Sequence, residues 1–468
     1  MSLHSPASRL WANIVAIPVV ASSLVACQSG YRTMAKSVVA DCSVGNYEAA
    51  AKASAAAAEK IKPDDPDRLA YVLEAGRCAQ LAGDQLASDQ FLTEAAAIVR
   101  PYLDTKAEAK VTEAVATTAV NQTVSIYRGT NPERMWISTL LAMNAMQRGD
   151  AEEARRLFIG ASEWQQNASA INEREIAEQQ EAVDRDQKEA TEKQLEVAST
   201  AEVVQNDAYA NLEALNATAS FEDPFTTYLQ SIFLMFQRSS SDLAAADNGL
   251  DRLVQYHAGV PAVAALVDGD KAIHAQLNSK GRVQPTTWVF LFEGLAAHRE
   301  ELKLAVAAFP RMTQLPEVTE KPSVMSAGVA AEMVQISDVD RLVMTDFKLK
   351  LPMIITQELL STALKTTVTV VAQRELGALG GLGALAYQVA STSADLRGWR
   401  TLPKRVWVAR VATPEDGTIE LRDGEASMGA VSVRPGSTGV IFVDLPGRSA
   451  SPVLRSADLI APLEEKAS

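Results

Sequence analysis

Gly45-Asn46-Tyr47-Glu48-Ala49-Ala50 is a short stretch that recurs twice along the chain, in a looser form each time. It returns as Gly83-Asp84-Gln85-Leu86-Ala87 and again as Gly149-Asp150-Ala151-Glu152-Glu153-Ala154. Each copy is a tight turn followed by a helix with alanine at its start, and a helix with large apolar residues precedes each turn. A turn glycine can adopt a positive φ, and small residues let paired helices approach closely. The repetition therefore predicts a stack of paired helices.

Strong helix formers dominate from about residue 33 to residue 260, and most prolines and glycines fall at breaks. The pattern resembles tetratricopeptide-type repeats, although the turn glycines are 38 and 66 residues apart instead of about 34. A fourth, degenerate unit is expected from residue 225 to residue 253, with its turn at Ser239-Ser240-Ser241. We predict an all-α helical-repeat domain over residues 33–260, with an irregular α-bundle as the alternative.

Residues 170–204 differ from the rest of this region, because long runs of charged and amide side chains surround few apolar ones. One apolar residue recurs at intervals of seven, as Ile176, Val183, Ala190, Val197 and Val204. A coiled coil needs two apolar positions in each heptad. The single stripe predicts a long solvated helix that leans on the body. The alternative is a protruding arm of roughly 50 Å that docks a partner.

After Gly281 the chain changes to short apolar or alternating runs, separated by Asp-Gly and Pro-Gly turns. Strands are predicted at residues 288–292, 304–309, 405–411, 431–433 and 439–445. Helices are predicted at about 338–347 and 351–375, and the uncharged, glycine-rich residues 376–393 indicate a packed helix or loop, or else membrane contact. We predict a multidomain α+β protein whose second, smaller α+β domain (residues 281–450) has a mostly antiparallel sheet. A tail over residues 451–468 follows it.

The first residues are typical of a processing segment and are not expected to join the fold. The apolar stretch of about fifteen residues (12–26) is shorter than the roughly 20 needed to span a bilayer. It ends in Leu24-Val25-Ala26-Cys27, which resembles the lipobox of bacterial lipoproteins. The resemblance implies a signal peptide over residues 1–26, cleavage before Cys27 and lipid on that cysteine. A plain secretory signal or an N-terminal membrane anchor is the alternative.

Residue 28 bears on the destination of such a lipoprotein. An aspartate at the second mature position commonly retains lipoproteins in the inner membrane, and this chain has Gln28 there. The resemblance therefore implies sorting to the outer membrane, with the body on the periplasmic face and residues 27–32 as anchor and linker.

Cys42 and Cys78 are the two cysteines that remain once Cys27 is lipidated. Both fall on predicted helices shortly before a glycine turn, so stacking of the repeats could bring them together. In an oxidising compartment they would form a disulfide. Two free, buried cysteines are the alternative, and the spacing of the cysteines matches no zinc motif.

The charge and the motifs argue against several classes of function. A net charge of −14 argues against nucleic acid as a partner, because phosphate binding needs a surface rich in lysine and arginine. His257, His274 and His298 are isolated, and the sequence contains no pattern of a zinc, nucleophilic-serine or phosphate-binding site. Glu293 follows a predicted strand, as a catalytic acid sometimes does, but a structural carboxylate is the simpler interpretation. We predict no catalytic residue, no metal and no cofactor.

Several stretches, in their order along the chain, resemble a family of bacterial outer-membrane lipoproteins with tetratricopeptide-type repeats. They are Tyr127-Arg128-Gly129-Thr130, Ala142-Met143-Asn144, residues 206–211, Phe292-Glu293-Gly294-Leu295-Ala296 and residues 394–403. Together they span most of the mature chain. The family has no assigned biochemistry, and its members look to be encoded near lipoproteins that act on cell-wall synthases. The resemblance therefore implies an envelope lipoprotein linked to cell-wall assembly.

The last of these stretches contains Asp395, Arg397 and Trp399, which would share one face of an extended segment. In one interpretation they are structural, and an Asp–Arg pair beside the indole locks the entry to the next strand. In the other they form a binding site, with Trp399 as a stacking surface and Arg397 as an anion ligand.

We predict a non-catalytic scaffold, anchored in the membrane through Cys27, whose stacked helices bind an envelope protein on their concave face. The first alternative is a protein that binds or processes peptidoglycan or another carbohydrate, in a deep pocket lined by Glu293, Asp395 and Arg397. The second is a structural lipoprotein whose arm over residues 170–204 reaches another layer of the envelope.

Overall fold

The structure is a computed structural model that describes residues 30–103, 125–192, 198–213, 215, 221–237, 239–304, 307–360, 362 and 394–460. The predictions on Cys27, Gln28 and residues 376–393 lie outside these ranges. Within them, no helix combines the length and the apolar character needed to cross a bilayer.

Helices fill the described chain up to residue 278, and consecutive helices pack as pairs joined by short turns. The helices are α1 (residues 30–43), α2 (Tyr47–Lys60), α3 (Arg68–Leu81), α4 (Gln85–Val99), α5 (Asn131–Gln147), α6 (Ala151–Glu192), α7 (Ala198–Ala208), α8 (Ala210–Glu213), α9 (Pro224–Gln237), α10 (Ser240–Tyr256), α11 (Pro261–Asn278) and, later in the chain, α12 (residues 339–360). Successive pairs stack through contacts of α2 with α3, α4 with α5 and α6 with α9. The helical region continues through α11, beyond the predicted end at residue 260.

The three predicted turn glycines have the conformation that the repeat requires. Gly45, Gly83 and Gly149 have φ values of +82°, +79° and +72°. The residue after each glycine donates its backbone N–H to the carbonyl five residues earlier, at 2.9 to 3.0 Å, which satisfies a carbonyl that the helix end leaves free. The fourth pair lacks a glycine turn, and α10 is instead capped by the Ser239 hydroxyl, which accepts from the Asp242 N–H at 3.1 Å.

The predicted charged helix is the second half of α6, which begins at Ala151. Glu175 on this helix is buried and ion-paired with Arg134 of α5 at 2.5 Å and with Lys350 of α12 at 2.9 Å. Of the predicted stripe, Ile176 is half-buried and Val204 of α7 is buried. The side chains of Val183, Ala190 and Val197 lie outside what the structure describes. The helix therefore packs against the rest of the protein as far as Glu175.

Two sheets form a sandwich, and a separate hairpin lies beside it. The strands are β1 (Thr286–Glu293), β2 (His298–Lys303), β3 (Ala308–Thr313), β4 (Pro322–Ser326), β5 (Val329–Glu332), β6 (Val334–Asp338), β7 (Arg405–Ala412), β8 (Thr418–Asp423), β9 (Ala426–Ser432), β10 (Thr438–Leu445) and β11 (Val453–Ile460). The larger sheet has the order β11-β10-β1-β7-β6, the smaller has β5-β4-β8-β9, and β2 pairs with β3. Among the described strands only β1 and β10 pair in parallel, so the predicted mostly antiparallel arrangement is confirmed.

Three boundaries differ from the prediction. In place of the strand predicted at 304–309, β2 ends at Lys303 and β3 begins at Ala308, and residues 305 and 306 lie outside the described ranges. The helices predicted at 338–347 and 351–375 form a continuous helix, α12, through residue 360. The expected tail from residue 451 contains β11, which pairs with β10 at the edge of the larger sheet, so the predicted domain end at residue 450 is too early.

Strand β1 is buried on both faces and joins three layers. Its alternate residues Trp288, Phe290 and Phe292 face the helices, where Phe292 meets Phe225 of α9 edge-on with ring centroids 5.1 Å apart. Its other face packs on the smaller sheet. The helices and the larger sheet share one continuous hydrophobic core. The predicted division between residues 260 and 281 is therefore a change of secondary structure within one packed body.

The inner helices of the stack are α3, α5 and α9, and nearly all of their residues are buried. Their outer sides pack on neighbouring helices, and their inner sides pack on the larger sheet. The predicted concave surface is thus filled by the chain itself. This corrects the expectation that a partner binds there.

The turn glycines give a direct test of the repeat geometry. A Cβ at Gly83 would meet nothing within 4 Å, so Gly83→Ala would be destabilising only through its positive φ, by about 1 kcal/mol. The matched control is Gly160→Ala within α6, where a Cβ would lie 3.5 Å from the Ser138 hydroxyl and alanine favours the helix by up to about 1 kcal/mol. Urea denaturation should move the two midpoints in opposite directions. Equal shifts would contradict this account of the turn.

Candidate functional site

The predicted motif lies in residues 394–404, hereafter the inserted segment, which runs between the inner helices and the start of β7. Glu74 of α3 accepts hydrogen bonds from the Arg400 backbone N–H at 2.8 Å and from the Thr401 hydroxyl at 2.6 Å. Glu133 of α5 accepts from the Trp399 backbone N–H at 2.6 Å. Carboxylates from two helices therefore bind three consecutive residues of the segment.

Glu133 is held in place by the start of its own helix. It forms a capping box with Thr130, in which its Oε2 accepts from the Thr130 backbone N–H at 2.7 Å. The same oxygen accepts from the Tyr127 hydroxyl at 2.6 Å. Oε1 remains for Trp399. The cap of α5 thus also fixes the position of the inserted segment.

Glu74 is fully buried among apolar residues of α3. Its carboxylate also accepts from the Tyr31 hydroxyl of α1 at 3.3 Å, and the same hydroxyl donates to the Gly398 carbonyl. Burial raises the pKa of Glu74 to about 7, against the opposing effect of the hydrogen bonds from Thr401 and Arg400. The first turn of α1 is therefore tied to the inserted segment.

The predicted Asp395–Arg397 pair forms, and it extends to the helices. The Arg397 guanidinium donates Nε and Nη2 to Asp395 at 2.8 and 2.9 Å, and Nη1 to Asp67 at 2.8 Å. It lies over the Tyr127 ring, 5.3 Å from the centroid, whereas the sequence suggested Trp399 as its aromatic neighbour. Burial favours neutral Asp395, but the charge and hydrogen bonds of Arg397 outweigh it and lower the pKa of that carboxyl.

Neither Arg397 nor Trp399 is open to a ligand. Their exposed fractions are 1% and 3%. The cavity beside them has a volume of about 20 Å³, enough for about one water molecule. This arrangement favours the structural interpretation of the motif over an anion site with a stacking surface.

Glu293 belongs to a separate cluster. Its carboxylate accepts from the backbone N–H groups of Val318 and Thr319 at 2.7 and 2.9 Å and from the Trp407 indole at 2.7 Å, and it is ion-paired with Arg405 at 3.2 Å. It does not line the cavity beside Arg397. The deep pocket expected for a carbohydrate-processing protein, lined by Glu293 together with Asp395 and Arg397, is therefore not formed by these residues.

Other buried carboxylates also join the helices to the larger sheet. Asp270 of α11 accepts from the Trp288 indole at 3.1 Å, from Arg410 at 2.6 Å and from the Tyr228 hydroxyl at 2.5 Å. A Cβ at Gly269 would lie 1.8 Å from the Arg410 guanidinium, so any larger residue there would displace this side chain from Asp270. Asp444 of β10 is likewise paired with Arg77 of α3 and Arg455 of β11.

Four members of this site were not predicted from the sequence, namely Glu74, Glu133, Asp67 and Tyr127. Two of them leave a local signal. Glu133 follows Thr130 at the spacing of a capping box, and Glu74 interrupts an apolar run on a predicted helix. Neither signal identifies a partner more than 260 residues away in the sequence.

Cys42 and Cys78 are brought together by the packing of α1 on α3. Both are buried, free thiols, and the neighbouring Cys42 together with burial holds the pKa of the Cys78 thiol well above its usual value. Two of the predicted isolated histidines contact backbone carbonyls, His257 that of Ile336 at 3.0 Å and His274 that of Leu243 at 2.9 Å. Among the described residues, no group of histidine, cysteine and acidic side chains could hold a metal ion.

Comparisons with protein-family models, with curated proteins and with solved structures found no match for this chain. The family resemblance stated from the sequence therefore stays a prediction. What the inserted segment and its helices do is argued from their own geometry.

Arg397 tests whether this cluster holds the fold together. Arg397→Ala would leave Asp67 buried without its cation and Asp395 with only Arg299, 4.0 Å away, which we expect to be destabilising by about 3–5 kcal/mol. The control is Arg100→Ala, whose partner Glu163 lies 3.4 Å away with side chains 69% and 43% exposed, and it should change stability by less than about 1 kcal/mol. Chemical denaturation measures both. Equal, small effects would mean that the segment is held by something other than this pair.

The raised pKa of Glu74 predicts a specific pH dependence. In the folded state Glu74 keeps its proton up to a pH of about 7, whereas in the unfolded chain it releases the proton above its ordinary pKa of 4.5. The contribution of Glu74 to the free energy of unfolding therefore falls as pH rises from about 4.5 to about 7. The slope of the unfolding free energy against pH would be at most about 1.4 kcal/mol per pH unit. Glu74→Gln should flatten the profile of unfolding free energy against pH in this window, whereas Glu59→Gln on the exposed side of α2 should not. Identical profiles for the wild type and both variants would contradict the raised pKa of Glu74.

Proposed function

We propose that the chain is a bacterial envelope lipoprotein, anchored through lipid on Cys27 on the periplasmic face of the outer membrane, and that it acts as a non-catalytic protein–protein interaction scaffold. The resemblance to repeat-containing lipoproteins further suggests a role linked to cell-wall assembly. Three features support the proposal: the lipobox-like stretch at residues 24–27, the short distance in sequence from Cys27 to the first described helix, and the use of the buried charges.

The folded body begins almost at the proposed anchor. Helix α1 is described from residue 30 onward, three positions after Cys27 in the sequence, and Tyr31 is fully buried. Three residues span at most about 10 Å. A lipid on Cys27 would therefore hold the first helix close to the membrane surface and leave little freedom for the body to move away from it.

The proposal that the scaffold is non-catalytic rests on one observation, namely which groups bind the buried carboxylates. A catalytic carboxylate has to reach a substrate. The buried carboxylates of the helix–sheet interface and of the β1 end are instead engaged by internal donors, namely Glu74, Glu133, Asp270, Glu293, Asp395 and Asp444. These carboxylates hold the three layers of the structure together.

A partner then has the outer side of the helix stack available. The groove between α4, α5 and α6 has a volume of about 490 Å³, and Ile159 on its rim is 53% exposed. Charged side chains at this rim include Arg100, Arg156 and Glu163. An apolar floor with a polar rim is the usual composition of a protein interface.

The experiment compares the wild-type chain with Cys27→Ala by in-cell crosslinking, pulldown and membrane fractionation. We expect the wild type in the outer-membrane fraction, crosslinked to a specific envelope protein, and the variant detached and without that partner. Ser43→Ala, beside the α1–α2 turn, serves as a control that leaves the lipobox intact. Enrichment of muropeptides or glycans without any protein would overturn the scaffold proposal. Equal fractionation of wild type and Cys27→Ala would overturn the anchor.

A further inference from the structure

We propose that the end of the β2–β3 hairpin lies on the membrane surface beside the lipid anchor. In this arrangement Leu304 enters the headgroup layer, and the basic side chains around it face the phosphate groups of the lipids. The inference rests on the proposed function, because the lipid on Cys27 is what brings a membrane to this part of the protein. It adds a membrane-binding surface that the scaffold role by itself does not require.

The reach of the anchor limits which part of the protein can touch the membrane. Only Gln28 and Ser29 separate Cys27 from residue 30, where the described part of α1 begins. This linker spans at most about 10 Å, and the headgroup layer is itself about 5–8 Å thick. The first turn of α1 is therefore held close to the head groups, and the surface beside that turn is the one that meets the lipid.

The β2–β3 hairpin lies directly beside this first turn. Arg32 of α1 is ion-paired with Glu301 of β2 at 3.5 Å, and the Arg400 side chain of the inserted segment donates to the Arg299 carbonyl of β2 at 3.2 Å. The hairpin pairs with neither sheet of the sandwich. Leu304 follows Glu301 by three residues, which is about 10 Å along an extended chain. The hairpin end and the anchor are thus both within a short reach of the same ion pair.

The end of the hairpin combines an exposed apolar side chain with an exposed cation. Leu304 is 37% exposed, and its backbone N–H donates to the Ala307 carbonyl at 3.0 Å, which joins the two chains of the hairpin at this end. The side chain of the preceding residue, Lys303, is 79% exposed. An apolar side chain next to a long basic one suits a membrane interface, because the apolar group enters the headgroup boundary while the ammonium group stays with the phosphates.

The charges around the hairpin end are complementary to anionic phospholipids. The carboxylate of Glu301 is 10% exposed and is paired with both Arg32 and Lys303, the latter at 3.4 Å. Lys36 is exposed one turn after Arg32 on the same face of α1. Three cations beside one shielded carboxylate give this surface a net positive charge, although the whole chain carries −14. Basic side chains next to an anchored segment are attracted to anionic head groups.

The opposite end of the sandwich offers a matched control position. Val329 is 68% exposed and follows the turn after Ser326, whose hydroxyl donates to the Ala412 carbonyl at the end of β7 at 2.8 Å. The hairpin instead follows the other end of β1, where Glu293 pairs with Arg405 at the start of β7. Strand β7 has 8 residues, which is roughly 25 Å. A probe at residue 329 therefore lies far from the proposed membrane surface.

The test compares a fluorophore at these two positions. Leu304→Cys or Val329→Cys is introduced into the full chain carrying Cys42→Ala and Cys78→Ala, which is expressed in cells that process lipoproteins and labelled with the environment-sensitive dye NBD. The lipidated chains are placed in vesicles of phosphatidylethanolamine and phosphatidylglycerol. We expect the emission at 304 to shift to shorter wavelength and to be quenched by a nitroxide-labelled lipid. The emission at 329 should be quenched by aqueous iodide instead.

The outcomes separate this inference from the proposed function. If the chain carries lipid on Cys27 and iodide quenches both probes alike, the hairpin is in water, and the inference fails while the anchor stands. A probe at 304 that is shielded from iodide but not quenched by the nitroxide lipid would mean that a second copy of the chain covers the hairpin, which also overturns the inference. A chain whose intact mass shows no lipid would overturn the proposed anchor, and this inference with it.

Charge reversal tests the basic surface independently of the apolar side chain. Lys303→Glu should weaken the quenching of the 304 probe by the nitroxide lipid, because the new carboxylate is repelled by phosphatidylglycerol. Lys280→Glu, at an exposed position before the start of β1, is the control and should leave the quenching unchanged. Equal quenching in both variants and in the parent chain would overturn the electrostatic part of the proposal.

Discussion

The carboxylates of Glu74 and Glu133 lie between the inner helices and the larger sheet, where water does not reach them. A buried carboxylate without donors is destabilising by several kcal/mol, so each of them has to meet N–H or O–H groups. The inserted segment supplies these donors from Trp399, Arg400 and Thr401. Its register on the helices is therefore set by hydrogen bonds, and β7 enters the sheet at Arg405 in the position that this register allows.

The same constraint recurs along the interface. Asp270 binds donors from β1, β7 and α9, and Asp444 joins α3 to β10 and β11. Between these polar points the aromatic face of β1 packs on α5 and α9. In many helical-repeat proteins the inner surface of the stack binds a partner. Among the described residues, the chain's own sheet occupies that surface, so the inner sides of the helices pack on the sheet.

Local patterns predicted the elements of this fold well. The turn glycines at 45, 83 and 149 have positive φ, and the strand at residues 288–292 lies within β1. Both signals depend on residues next to each other in the chain. The boundary at 450 was wrong because β11 is an edge strand whose exposed side carries Ser456 and Asp458 beside a lone Leu454, a mixed pattern that in sequence resembles a solvated tail. The prediction of two separate domains was based on the change from helical to strand periodicity of the apolar residues. This periodicity does not show which faces of the elements pack into a common core.

The sequence by itself determined the helix pairs, the antiparallel strands and the Asp395–Arg397 pair, because these depend on φ, on alternation and on residues two apart. Only the tertiary structure decided what that pair is for. Arg397 reaches Asp67 across 330 residues and the Ser125 carbonyl across 272, and Cys42 shares a hydrophobic core with Cys78 only once α1 packs on α3. The contacts of Arg397 follow from the relative position of distant elements. The burial of whole faces sets that position, together with the requirement that buried charges have partners. A short stretch of sequence specifies neither of these.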